Sequence, residues 1–156
     1  MPRDGFYFDM VAHPLKNADF DTVKRFKWPN GQDTSISGGL AVEAKEIYKQ
    51  SKAALILDAR IGNGFFHTGA LLEGYQDFFT DLLLSPEKTT YILDKVLEQK
   101  FNYFEALLNE VGKLIHVVRE LDDLGGQDGL LISPEEYRKY IKPRQKILFD
   151  FIRKKV

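Results

Sequence analysis

Apolar and polar positions alternate along this chain with more than one period, and the period changes mark the predicted elements. From about Ser37 to Gln50 the spacing is helical. Leu40, Ala44, Ile47 and Tyr48 recur three and four residues apart, while Glu43, Lys45, Glu46 and Lys49 fall elsewhere. Ala53 to Leu57 is an unbroken apolar run ending at Asp58. It is too short for a helix, which predicts a strand buried on both faces of a parallel sheet. After Gly62-Asn63-Gly64, residues Phe66 to Leu84 read as one or two helices, with Gly74 as the break. Ser85-Pro86-Glu87 starts a long helix to about Val111. Its inward stripe is Ile92, Leu93, Val96, Leu97, Phe101, Phe104, Leu107, Leu108 and Val111, and Gly112 is the expected left-handed stop.

Leu114 to Val118 predicts a second core strand, followed by the polar run from Arg119 to Gly129. Ser133-Pro134-Glu135-Glu136 is a capping box, and a last helix runs from about Pro143 towards Arg153, Lys154 and Lys155, cations suited to a helix carboxyl end. The first 36 residues are rich in turns, with a short aromatic strand over Gly5 to Val11 and loops at His13-Pro14 and Trp28-Pro29-Asn30-Gly31. The order of strands and helices predicts an α/β fold. We expect a partial (β/α)8 barrel of about three to four βα units with long covering helices. It forms a single domain over 1–156, with a turn-rich opening at 1–36 and βα units at 37–156.

Composition narrows the function classes. Hydrophobic residues are 44% of 156 and charged residues 29%, enough for a packed core. The formal net charge of −1 argues against a general nucleic-acid or anionic-membrane binder. There is no cysteine, hence no disulfide, thiolate ligand or cysteine nucleophile in this sequence. No stretch reaches the ~20 apolar residues of a membrane span, and no signal-like run follows the start, so a cytoplasmic location is expected.

Ligands of parallel α/β folds bind beyond the carboxyl ends of the strands, which selects two polar clusters. Asp58 and Arg60, two apart at a strand end, point to one side, with Asn63 in the loop that follows. They are candidate substrate-binding residues, or else they pair with each other or cap the next helix. Asp122 and Asp123 form the second cluster, followed by Gly125-Gly126-Gln127-Asp128-Gly129. Two adjacent carboxylates are costly if both are buried, and the glycines permit close backbone approach, so either carboxylate is a candidate catalytic group. Gln127 and His67, which opens a helix nearby, are candidate substrate ligands. The three histidines show no metal-type spacing, and there is no nucleophile elbow or phosphate loop.

Four segments resemble the uroporphyrinogen decarboxylase superfamily. Gly69 to Leu82 (GALLEGYQDFFTDL) is similar to its "LRGFENFLMDL" segment, and Asp122 to Pro134 (DDLGGQDGLLISP) to its "DDLGTQNGPLISP". Tyr137 to Arg144 resembles its "REFIKPR", and Trp28-Pro29 a "YPWPD" turn. The resemblance implies a (β/α)8 barrel and a tetrapyrrole carboxy-lyase that needs no cofactor. The alternative it implies is a corrinoid-dependent methyltransferase using zinc to activate a thiol, with a methyl-corrinoid as its substrate. In the first chemistry a carboxylate stabilises a protonated pyrrole as carbon dioxide leaves. In the second, zinc lowers the thiol pKa so that the thiolate attacks methyl-cobalamin. The family's zinc His-x-Cys motif falls on a strand after the "KPR" helix, so zinc ligands are expected outside these residues, and no metal site within them. The Arg-rich segment and early-strand Asp of the decarboxylases, and their mid-barrel Tyr, which would align near Gly69 or Ala70, have no counterpart here. No measurable uroporphyrinogen turnover by this polypeptide alone is therefore expected. A third expectation is a catalytically inactive fragment whose open sheet edges pair with a complementing barrel half or with a second copy.

Overall fold

The computed structural model describes residues 10–31, 39–58 and 64–156. Helices α1 (Phe20–Arg25) and α2 (Leu40–Gln50) precede strand β1 (Ile56–Asp58). Helices α3 (Phe65–Glu73), α4 (Tyr75–Leu84) and the 26-residue α5 (Pro86–Val111) follow, and then β2 (Val117–Arg119). A hairpin of β3 (Gly125–Gly126) and β4 (Gly129–Leu130) leads to α6 (Pro134–Glu136) and α7 (Lys142–Ile152).

The barrel expectation is overturned. Among the described residues the strands form two separate pairs, β1 parallel to β2 and β3 antiparallel to β4, and the fold is mostly helical. The physical reason lies in the first apolar run. Only Ile56 to Asp58 becomes strand, and Ile56 is 64% exposed, so this strand is not sandwiched between helix layers as a barrel strand must be. Leu114 likewise closes a 3₁₀ turn rather than opening the second strand, which is confined to Val117–Arg119. What remains is one crossover, β1–α3–α4–α5–β2, registered Ile56 to Val117 and Asp58 to Arg119. The aromatic strand expected over Gly5 to Val11 falls mainly outside the described residues, and Met10 and Val11 are not in a strand.

Long-helix patterning is realised closely. The chain breaks at Gly74, where φ is 87°, separating α3 from α4. Helix α5 starts at Pro86 and buries Ile92, Leu93, Val96, Phe104, Leu107, Leu108 and Val111. It also buries Lys100 and Tyr103. Against it pack Phe65, Phe66 and Phe78 from α3 and α4, and Leu148 and Ile152 from α7. A smaller cluster of Leu15, Val23 and Ile92 lies beneath α1, and Leu72 touches both clusters.

Two terminations differ from expectation. Gly112 is right-handed (φ −52°), and a Cβ there would lie 2.3 Å from the Lys155 carbonyl oxygen, so the glycine serves close approach of the carboxyl-terminal turn. The Ser133 capping box forms in full with Glu136, but the helix does not restart at Pro143. It runs from α6 through a π turn (Tyr137–Ile141) into α7, which accommodates a proline that cannot donate to the preceding turn.

Candidate functional site

The carboxyl ends of β1 and β2 converge on the start of α3. Helix α3 has no capping side chain of its own, because glycine occupies its N-cap position. The cap comes from 57 residues away. Asp122 Oδ2 accepts from the amides of Phe65 (2.8 Å) and Phe66 (3.0 Å), and Oδ1 accepts from those of His67 (3.1 Å) and Asp123 (3.1 Å). Four N–H groups converge on this one carboxylate at the start of the helix and hold it in place. Asp122 therefore ties the loop after β2 to the start of α3.

The neighbouring carboxylate faces the other way. Asp123 Oδ2 lies 3.8 Å from His67 Nδ1, with its side chain 59% exposed. The same Nδ1 is hydrogen-bonded to the Tyr75 hydroxyl at 3.1 Å, the direction following the ring tautomer. The two rings meet edge to face, 6.1 Å between centroids. Burial, then the charges of Asp123 and Asp122, push the Tyr75 hydroxyl above its ordinary pKa, so it stays protonated and able to donate. His67, Tyr75 and Asp123 thus form a partly open polar group on a rigid base, able to accept from an N–H and to donate to an anion.

Of the residues singled out in the sequence, His67, Asp122 and Asp123 come together. Asp58 instead meets Arg119 across the parallel pair, at 3.2 Å, in a pair more than half exposed on both sides. Arg60 and Asn63 lie outside the described residues. Gln127 stands exposed in the turn between β3 and β4. Sequence reasoning missed Tyr75, although a tyrosine eight residues after His67, just past a glycine break, was the available signal. It also missed the buried pair beneath the site. Lys100 Nζ lies 2.5 Å from Glu120 Oε1, with the two side chains 1% and 5% exposed.

Among the described residues no three metal-ligating side chains converge. His67 and Asp123 are two, and the oxygens of Asp122 are occupied by amides, so the residues described do not fit a zinc site. Nor is any described helix long and apolar enough to cross a membrane. Compared with known proteins, the chain matches no family model, no curated protein and no solved structure.

Proposed function

We propose that the chain is part of a uroporphyrinogen decarboxylase-like enzyme and that His67, Tyr75 and Asp123 contact its tetrapyrrole substrate. The observation carrying this reading is the fixed His67–Tyr75–Asp123 group at the carboxyl ends of the parallel pair. It lies in or beside the two segments with the longest resemblance, Gly69 to Leu82 and Asp122 to Pro134. In this reading Asp123 accepts from pyrrole N–H groups and stabilises the cationic ring that draws electrons as carbon dioxide departs. His67 and Tyr75 donate to substrate carboxylates, and Asp122 positions all three through the α3 backbone.

Uroporphyrin, the stable oxidised form, is the probe. Its absorbance should change saturably on adding the protein, and Asp123→Asn should weaken binding about tenfold. Absence of saturation, or unaltered binding by Asp123→Asn, overturns the reading. Saturable binding of methylcobalamin instead would select the corrinoid branch of the same superfamily.

A second, non-enzymatic reading is favoured by the outer edge of β2, which pairs with no strand among the described residues. An open groove of about 410 Å³ runs beside it, with Val118, Phe149 and Ile152 among its walls. Antiparallel pairing of two copies along this edge would satisfy its unpaired backbone groups and cover the groove. Light scattering during size exclusion would give twice the chain mass for this reading, and the chain mass would end it.

A further inference from the structure

Helix α4 ends in two adjacent leucines, Leu83 and Leu84, with 71% and 77% of their surface exposed. Single apolar side chains in water need no explanation, but a contiguous pair rimmed by charge marks a contact surface. Leu84 borders an open hollow of about 570 Å³ whose walls also carry Asp19, Asp81 and Glu87. Lys88 answers Asp81 at 2.6 Å, whereas Asp19 and Glu87 form no ion pair among the described residues.

A basic strip adjoins the same helix end. The Tyr140 hydroxyl donates to the Leu82 carbonyl at 2.9 Å, and Lys139 Nζ lies 4.7 Å from the Tyr140 ring centroid. Arg138, Lys139 and Lys142 are exposed and form no ion pair among the described residues. They belong to a segment of uneven charge. Residues 133–156 hold eight basic and three acidic side chains, a net +5, so the rest of the chain carries −6.

An apolar centre flanked by an acidic hollow and a basic strip is self-complementary about a two-fold axis, because each copy's strip then meets the other's hollow. A polyanion would gain the strip but be repelled by the hollow beside it. We infer that a second copy of this chain docks here. Leu83 and Leu84 of both copies form the centre, and Arg138, Lys139 and Lys142 of each lie opposite Asp19 and Glu87 of the other. This face is independent of the His67 group. It is also separate from the edge of β2, which borders the other end of α7 at Phe149 and Ile152.

Equal amounts of ¹⁴N- and ¹⁵N-labelled chain, mixed and treated with a carbodiimide, test the contact directly, since the reagent joins a lysine amine to a touching carboxylate. Mass spectrometry should find Lys139 or Lys142 linked to Asp19 or Glu87 in pairs of one light and one heavy peptide, which only two different copies can give. Light scattering should give twice the chain mass at low salt, with the dissociation constant rising severalfold from about 50 to about 500 mM NaCl. Lys139→Glu combined with Lys142→Glu should return the chain mass, and so should Glu87→Lys. Mixing these two variants restores both sets of opposite charges and should restore the dimer. The cross-linking uses the unaltered protein, so a variant that fails to fold leaves the test intact. The chain mass at low salt, or a dimer without mixed-label links at these residues, overturns the inference. A dimer joined only through β2 gives the second of those results.

Discussion

The Asp122 carboxylate occupies the space in which a side chain at Gly64 would begin: a Cβ on Gly64 would fall 2.0 Å from Asp122 Cγ. Gly64 also has a positive φ of 22°, a conformation L side chains rarely adopt. Glycine and aspartate are thus one device, the first clearing the space and the second filling it with a cap for α3. Asp122→Ala strips the Phe65, Phe66 and His67 amides of their acceptor and should cost about 2–3 kcal/mol in urea unfolding. Asp122→Asn keeps an acceptor and should cost about half as much. Gly64→Ala, which must displace the carboxylate, should cost at least as much as Asp122→Ala. An Asp122→Ala chain as stable as the original would remove the capping role.

Stability should fall as pH rises from about 4.5 towards 7, and Glu73 is the reason. Its side chain is fully buried at the end of α3, with Lys88 Nζ of α5 2.7 Å away. Asp81 of α4 claims the same lysine at 2.6 Å. Burial pushes Glu73 up to about 7 despite Lys88, while in the unfolded chain it titrates near 4.5. The folded state therefore binds more protons between those values, and its stability declines across that interval. The full effect is ~3 kcal/mol, complete above pH 7 and absent below pH 4.5. Thermal unfolding followed from pH 5 to pH 8 should show the decline in the original chain. In Glu73→Gln that part of the slope should vanish.

Tyr75 and His67 separate stability from binding. Tyr75 is 38% exposed, so Tyr75→Phe retains the ring contact with His67 and should change stability by no more than ~0.5 kcal/mol. It removes the hydroxyl that orients His67 and should lower uroporphyrin affinity severalfold. A large loss of stability with unchanged binding would reassign Tyr75 to the fold alone.

Which features were legible in the sequence follows from how local their causes are. The Gly74 break, the Pro86 start and the Ser133–Glu136 capping box each depend on residues within four positions of one another and each forms, although the Ser85 side chain makes no capping hydrogen bond. The strands depend on what covers them. Ala53 to Leu57 has the composition of a buried strand, but with Ile56 and Val117 left exposed only three residues of each run pair. In the same way, Asp122 was visible as a polar residue at a strand end, whereas its task was set by a helix start 57 residues earlier that lacks a cap. Two of the three residues of the candidate site, His67 and Asp123, were marked by position. Tyr75 joins them only because α4 turns back beside α3.

Lys100 and Glu120 pose the sharpest energetic question, because two ions are held in the core where either alone would be costly. Burial raises the Glu120 carboxyl above its usual range while Lys100 opposes the shift, so the carboxylate depends on its partner. The Lys100 ammonium also lies 5.8 Å from the Phe65 ring centroid, at the start of the helix that Asp122 caps. Removing Lys100 strands the Glu120 carboxylate. Lys100→Met and Glu120→Leu should each cost about 3–5 kcal/mol in chemical denaturation. The double variant should be much less damaging than the sum, and close to the original stability if the methionine and leucine pack well. Additive losses would mean that the two charges do not support each other. Strong coupling would identify the pair as the anchor that holds the residues after β2, Asp122 and Asp123 among them, against α5.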